Sequence, residues 1–294
     1  MKPRVILLLL PLALLSCRQG PANETLDGPY RPDWQSLEKH VAVPDWMRDA
    51  KFGIYCHWGV YSVPAYGNEQ YFHYMHDEGV GLMNARQRHE QMYGPLSEFG
   101  YHDFIPMFKA ELFDADTWAE LFRSSGARFA GLVGEHHDGF AMWDSRYTPF
   151  NARRMGPKRD VVGELERSIR ARGMKFFLSL HHENNYYYVQ VQPGWAADNP
   201  KYARLYGCLM PREEWYDMWL DKSREVVGKY SPDIIYFDAW MDSIPEQRRL
   251  DFLAHYFNHA EKRGQQVVFT YKYIDLQCIV NGFTILVIVV FFPN

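Results

Sequence analysis

Several common functional motifs are missing from this chain. No GxGxxG or Walker-type loop follows any of its apolar segments, so a nucleotide site has no support. Cysteine is scarce: the four cysteines stand far apart without a CxxC pair, which excludes a disulfide framework and a cysteine-based metal site. The formal net charge is only −4 over 294 residues, which argues against nucleic acid or an anionic membrane surface as a partner.

Apolar and aromatic residues, in contrast, are plentiful. They make up 47% and 16% of the chain respectively, enough for a soluble globular enzyme with a sizeable core. The nine tryptophans and twenty tyrosines have two interpretations. Such rings often line sugar-binding clefts, but they also fill large cores.

The N-terminus has the pattern of an export signal. A cationic start, Met1–Arg4, precedes the apolar run Val5–Leu15, which is too short to span a bilayer comfortably. The run ends in Leu-Leu-Ser-Cys, which resembles a bacterial lipoprotein cleavage box. We therefore expect a signal peptide over residues 1–16, a lipidated Cys17 and a tether over residues 17–38. This predicts a periplasmic or outer-membrane lipoprotein that meets the membrane only through its lipid; an ordinary signal peptide is the alternative.

The segments that follow alternate between strand and helix patterns. Apolar, β-branched runs predict strands, and amphipathic segments between them predict helices. The predicted strands are 51–59, 129–134, 175–180, 232–238 and 266–270, and the predicted helices are 114–126, 160–173, 213–230 and 245–262. This alternation predicts an α/β fold of the (β/α) TIM-barrel type over residues 39–276, with a doubly wound open sheet as the alternative.

Two regions fit the barrel pattern poorly. Residues 60–105 predict a long aromatic loop. The tail, residues 277–294, is an aberrant apolar segment that has no charged residue. Because a complete barrel has eight strands, we expect an incomplete barrel and a frameshifted or truncated gene end, or a short buried strand in the tail.

Polar residues follow four of the five predicted strands. The clusters are His57-Trp58, His136-His137-Asp138, His181-His182-Glu183 and Asp238 with Trp240. The carboxyl ends of barrel strands carry the catalytic groups of such folds, although a single histidine pair or aspartate can equally be a core residue or a cap. Two chemistries remain open at this point: a divalent metal that activates water, and a glycosidase in which Asp238 attacks a sugar.

Four segments resemble one family, the retaining α-L-fucosidases of glycoside hydrolase family 29. They are KFGIYCHWGVYSVPAYGNEQY, FDADTWAELFRSSGARFAGLVGEHHDGFAMWDSRYTPFNA, RDVVGELERSIRARGMKFFLSL and SPDIIYFDAW. The resemblance implies a (β/α)8-like barrel followed by a C-terminal β-sandwich, and an enzyme that hydrolyses terminal α-L-fucosyl residues without a cofactor. A fucosylated glycan or glycoconjugate would then be its partner.

The resemblance also implies individual roles. Asp238 would be the nucleophile that forms a covalent fucosyl-enzyme. The implied substrate contacts are His57, Trp58, Glu69, Tyr71, His136, His137, His182 and Trp240. This chain has Glu69-Gln70-Tyr71 where the family often has Glu-Trp. We therefore expect Tyr71, in place of the tryptophan, to stack on the sugar.

The family's acid/base is a glutamate some tens of residues beyond the nucleophile. In this chain the last glutamate is Glu261, inside a predicted helix. No acid/base is identified, and we expect it and the β-sandwich to be absent. The alternatives are therefore an impaired fucosidase fragment or fucose-binding remnant and, further from the pattern, a His/Asp metal-dependent hydrolase.

Overall fold

A computed structural model describes residues 27–77, 84–239 and 241–272 of the protein. The predictions for the signal peptide and Cys17, for Trp240 and for the apolar tail fall outside these residues. Within them, no helix has both the length and the apolar character needed to cross a membrane.

Five parallel strands form one sheet in the described part of the chain. They are β1 (Gly53–Cys56), β2 (Phe129–Glu135), β3 (Lys175–Leu180), β4 (Ile234–Phe237) and β5 (Val268–Tyr271). Each strand pairs with the next one in the chain, so the order never reverses. A doubly wound sheet needs such a reversal, and that alternative is therefore wrong. The predicted barrel fold is confirmed, as a partial (β/α) barrel.

Helices connect the strands and precede them. Those described are α1 (Trp34–Leu37), α2 (Asp45–Ala50), α3 (Tyr71–Tyr74), α4 (Ala85–Tyr93), α5 (Ala115–Ser124), α6 (Val161–Ala171), α7 (Asn185–Tyr188), α8 (Arg212–Tyr230) and α9 (Glu246–Lys262). The crossover helices α5, α6, α8 and α9 agree with the predicted ones. Two of them begin at an aspartate N-cap: Asp114 accepts from the Thr117 amide and Asp160 from the Gly163 amide.

The two faces of the sheet pack against different partners, because successive side chains on a strand point to opposite sides. On the inner face, Tyr55, Phe177 and Ile234 belong to a small apolar cluster. On the outer face, strand residues join the large core beneath the crossover helices; Phe237, for example, lies 5.7 Å from the Trp219 ring of α8. This alternation decides which of the residues after each strand can reach the barrel interior.

The region predicted as an aromatic loop differs from that prediction. Residues 60–105 contain α3, α4 and short 3₁₀ turns. Several of their aromatic side chains, among them Tyr71, Phe72 and Phe104, are almost fully buried, and the Tyr71 ring lies 6.0 Å from the Phe104 ring. Helices of four to nine residues are too short for a clear apolar periodicity, which is why the sequence pattern missed them.

The end of the predicted tether also differs, because it packs on the barrel. Tyr30 and Asn258 of α9 exchange two hydrogen bonds, at 2.9 and 2.7 Å. Leu37 is fully buried, and the Trp34 indole donates to Glu246 at 2.8 Å. Residues 30–37 therefore belong to the folded domain and are not a free linker.

Candidate active site

The carboxyl ends of four strands bring the candidate residues together. His57 follows β1, His136 follows β2, His181 follows β3 and Asp238 follows β4, each within a residue or two of the strand end. Since all the strands are parallel, these positions meet at one edge of the sheet. They lie where a barrel enzyme carries its chemistry.

Four histidine rings form the centre of the site. The His57 ring lies 5.6 Å from the His136 ring and 5.2 Å from the His181 ring. The His136 ring lies 4.8 Å from His181 and 4.6 Å from His137. All four side chains are buried, so the group is shielded from bulk water.

Burial keeps these histidines neutral. It lowers the pKa of His57, and for His136 and His181 burial together with neighbouring histidines holds the pKa well below the usual value. Burial lowers the pKa of His137 to about 4, although its bond to the His181 carbonyl opposes the shift. Each ring therefore offers one donor and one acceptor at neutral pH.

Some of these ring nitrogens form hydrogen bonds within the protein and others do not. His137 donates through Nδ1 to the His181 carbonyl oxygen, and its ring lies 4.3 Å from the Tyr188 ring. In contrast, the Nδ1 atoms of His57, His136 and His181 have no hydrogen-bond partner among the described residues. Buried polar atoms of this kind are normally satisfied, so these three are suited to a bound ligand.

Asp238 is the carboxylate of the site. Its Oδ1 accepts a hydrogen bond from the Tyr236 hydroxyl at 2.5 Å, and its Oδ2 lies 3.3 Å from Lys272 Nζ. Oδ2 also lies 3.7 Å from His181 Nδ1. The Asp238 side chain is 16% exposed, whereas His181 is fully buried, so the carboxylate is open to an incoming ligand. Sequence reasoning assigned no role to Tyr236 or Lys272, although the period-two pattern places Tyr236 on the same face as Asp238.

Glu69 lies close to this centre on the segment after β1. Its carboxylate partly opposes the effect of burial on the pKa of His57 and contributes to the raised pKa of Tyr61. It is only partly buried. The structure therefore brings together Asp238, His57, His136 and His137, and the Glu69 charge acts on His57.

Three predicted contacts lie elsewhere. Trp58 and His182 each follow an inward-pointing histidine, so strand alternation turns them to the outer face. There Trp58 packs 5.1 Å from Trp118, and His182 donates to the Trp219 carbonyl at 3.4 Å. Tyr71 is buried in the aromatic region, where it hydrogen-bonds His89 at 3.0 Å. These positions correct the sequence interpretation of Trp58, His182 and Tyr71.

A second set of buried charges supports the strand ends. Lys222 of α8 and Glu135 form an ion pair at 2.7 Å, with both side chains only 1% exposed. Asp138 accepts from the Tyr101 hydroxyl at 2.6 Å and from the Phe140 amide at 3.1 Å, and burial raises its pKa to about 7. Since both Asp138 oxygens are occupied, its role here is to hold the loop after β2.

The site residues could also hold a metal ion. Potential ligand atoms of His57, His136 and His181 lie within 4.8 Å of one another, as do those of His137, His181 and Asp238. Neutral imidazole and carboxylate are ordinary ligands for zinc and similar ions. Geometry alone therefore leaves open both chemistries considered from the sequence.

The fold and the site together define a (β/α)-barrel protein that carries its functional groups at the carboxyl ends of the strands. A sequence model of the family described as alpha-L-fucosidase matches residues 18–284, and the chain belongs to that family. It is 34% identical over 272 residues to tissue alpha-L-fucosidase of Bos taurus, covering 90% of this chain and 54% of that protein. The human tissue enzyme is 32% identical over 268 residues, covering 89% and 53%.

Solved structures agree with this assignment. The crystal structure of Thermotoga maritima alpha-fucosidase in complex with fucose is similar, with a TM-score of 0.67 and 30% identity. The match covers 82% of this chain and 56% of that one. The chain thus spans about half the length of the relatives that it matches.

Proposed function

We propose that this protein hydrolyses terminal α-L-fucosyl residues of glycans with retention of anomeric configuration, with Asp238 as the nucleophile. The observation that supports this proposal best is the position of the Asp238 carboxylate beside a group of neutral histidines with unpaired ring nitrogens. Neutral imidazoles can hydrogen-bond sugar hydroxyls, and an accessible carboxylate can attack the anomeric carbon.

The proposed reaction has two displacements. One Asp238 oxygen forms a bond to the anomeric carbon while the bond to the aglycone oxygen breaks; that oxygen keeps the electron pair and takes a proton from solvent water. A water molecule then attacks the same carbon and gives up a proton to the solvent, and the Asp238 carboxylate leaves with the electron pair of its bond. His57, His136, His137 and Glu69 would hold the fucose hydroxyls through both steps.

Hydrolysis of an aryl α-L-fucoside, followed by NMR in buffer containing EDTA, tests this proposal. We expect α-L-fucose as the first product and full activity with the chelator, because neutral histidines that bind hydroxyls require no ion. First formation of the β-anomer would contradict the retaining mechanism. Loss of activity in EDTA that zinc restores would favour the metal-dependent hydrolase, and fucose binding without turnover would make the protein a fucose-binding remnant.

We further propose that the protein is exported by a bacterium and lipidated at Cys17. The cationic start, the short apolar run and the Leu-Leu-Ser-Cys sequence support this. In a Gram-negative host fed an alkyne fatty acid, we expect the wild-type protein to be labelled and Cys17→Ala to be unlabelled. Cys208→Ser, which alters a half-buried thiol of the barrel, is the matched control and should be labelled normally. Equal labelling of wild type and Cys17→Ala, or none in either, would contradict the proposal.

A further inference from the structure

Tyr236 is the hydrogen-bond donor nearest to Asp238 in the chain, and it lies on the same strand face. Tyr236 is on β4 and Asp238, two positions further, directly follows the strand, so both side chains point inward. The Tyr236 ring packs 6.3 Å from Phe177 on the adjacent strand β3 and 6.3 Å from Tyr55 of β1, on the same inner face of the sheet. Its hydroxyl is therefore fixed against Oδ1 of Asp238, at 2.5 Å.

The hydroxyl is a hydrogen-bond donor at neutral pH, because a tyrosine side chain has an ordinary pKa of about 10. A protonated phenol has one hydrogen to donate, and the described contact directs it to Oδ1.

The two oxygens of Asp238 are not equivalent. Oδ1 faces Tyr236, whereas Oδ2 faces the histidine group, 3.7 Å from His181 Nδ1. Lys272 donates to Oδ2 as well, at 3.3 Å, from a side chain that is 45% exposed. Oδ2 is therefore the oxygen that points at the space where a sugar would bind.

We propose that Tyr236 is a positioning residue that holds Oδ1, so that Oδ2 makes the attack, and that it stabilises the carboxylate when it leaves again. This inference rests on the proposed function. In the first step Oδ2 bonds to the anomeric carbon, and Oδ1 becomes the carbonyl oxygen of a neutral ester. In the second step the Oδ2–carbon bond breaks, its electron pair returns to the carboxylate and negative charge spreads to Oδ1 again.

The charge on Oδ1 of Asp238 at each stage predicts which of the two steps depends more on Tyr236. A hydrogen bond to a charged acceptor is stronger than one to a neutral ester carbonyl. The Tyr236 hydroxyl therefore assists the second step, where negative charge develops on Oδ1. In the first step the same bond stabilises the starting carboxylate, so its loss there is partly compensated by a more reactive nucleophile.

Steady-state and rapid-mixing kinetics of Tyr236→Phe in the full chain, with an activated aryl α-L-fucoside, test the assignment. We expect kcat to fall about tenfold or more, the scale of a lost hydrogen bond to a charged group. KM should fall with it, and a burst of the phenol should precede the steady state, because the fucosyl-enzyme accumulates. Tyr256→Phe is the matched control: it removes a buried tyrosine hydroxyl that donates to the Pro232 carbonyl at 2.9 Å, just before β4 begins.

The control should keep the wild-type kcat and KM, even where it loses thermal stability. An unchanged KM, a raised KM or the absence of a burst in Tyr236→Phe would overturn the role of Tyr236. Two measurements on the wild-type protein separate the two proposals. They are turnover of the aryl fucoside and labelling of Asp238 by a 2-deoxy-2-fluoro-fucosyl reagent. If the wild type shows neither, the proposed function fails; if it shows both and Tyr236→Phe behaves like it, only this inference fails.

Discussion

Asp238→Gly should reduce kcat/KM for an aryl α-L-fucoside by at least about 10⁴-fold, the scale seen when a covalent nucleophile is removed. Covalent catalysis needs a carboxylate at the anomeric carbon, and Asp238 is the partly exposed carboxylate beside the histidine group. Asp242→Gly is the matched control, because Asp242 lies four residues further along the chain and is an exposed residue of a 3₁₀ turn. It should retain wild-type kinetics.

The cavity left by Asp238→Gly provides a second readout. Added azide should enter it and attack the anomeric carbon from the side of the missing carboxylate, giving β-L-fucosyl azide and restoring part of the rate. In the wild-type protein, a 2-deoxy-2-fluoro-fucosyl reagent should label Asp238. Labelling at another carboxylate, or normal turnover by Asp238→Gly, would remove Asp238 from the nucleophile role.

The identity of the acid/base is a separate question from that of the nucleophile. Retention requires a second carboxyl group about 5 Å from the first. Glu183, which follows β3, is fully buried, and burial together with the nearby Asp238 raises its pKa well above the usual value. A carboxylic acid enclosed in this way holds its proton. We therefore do not assign Glu183 as the proton donor, and the acid/base is not identified among the described residues.

Strand positions and the residues at the strand ends were predictable, because a two-residue period and apolar runs are local features of the sequence. The same period, applied strictly, would also have assigned His57, His181 and Asp238 to the inner face and Trp58 and His182 to the outer one. The sequence interpretation instead grouped neighbouring residues into single clusters. The predicted substrate contacts at Trp58 and His182 were wrong because neighbours in the chain were assumed to lie on the same face of the sheet. Consecutive strand residues point to opposite faces.

Contacts between distant segments could not be predicted in this way. Lys272 reaches Asp238 across 34 positions, and Lys222 reaches Glu135 across 87. Neither pair has a local pattern, since each depends on how a helix or strand end is placed by the whole barrel. The packing of Tyr30 on α9, 228 positions away, escaped prediction for the same reason.

The Lys222–Glu135 pair gives the largest expected change in stability. Both side chains are buried beneath the strand ends, and Oε2 of Glu135 has no hydrogen-bond partner among the described residues. Replacing Lys222 with Met leaves this carboxylate buried without its cation. We expect the free energy of unfolding at pH 8 to fall by about 3–5 kcal/mol.

The pH dependence of that loss distinguishes a charge effect from a packing effect. Burial raises the pKa of Glu135, and Lys222 opposes that rise. In Lys222→Met no cation counteracts the effect of burial, so the folded-state pKa of Glu135 lies further above its unfolded value. A raised carboxyl pKa favours folding below the unfolded pKa, and that contribution is lost as the pH rises through the folded pKa. The difference between variant and wild type should therefore shrink as the pH is lowered from 8 towards 4.

Urea denaturation of single and double variants measures these effects. Lys222→Met/Glu135→Gln should recover most of the lost stability, because it removes the unpaired charge as well. Lys229→Met is the matched control on the same helix: Lys229 is 37% exposed and lies 3.9 Å from Glu225, which keeps its hydrogen bonds from the Trp143 indole and the Arg146 amide, so the loss should cost less than about 1 kcal/mol. If Lys222→Met cost no more than Lys229→Met, or if its cost were equal at pH 4 and pH 8, the pair would not be the electrostatic support of the strand ends that its burial indicates.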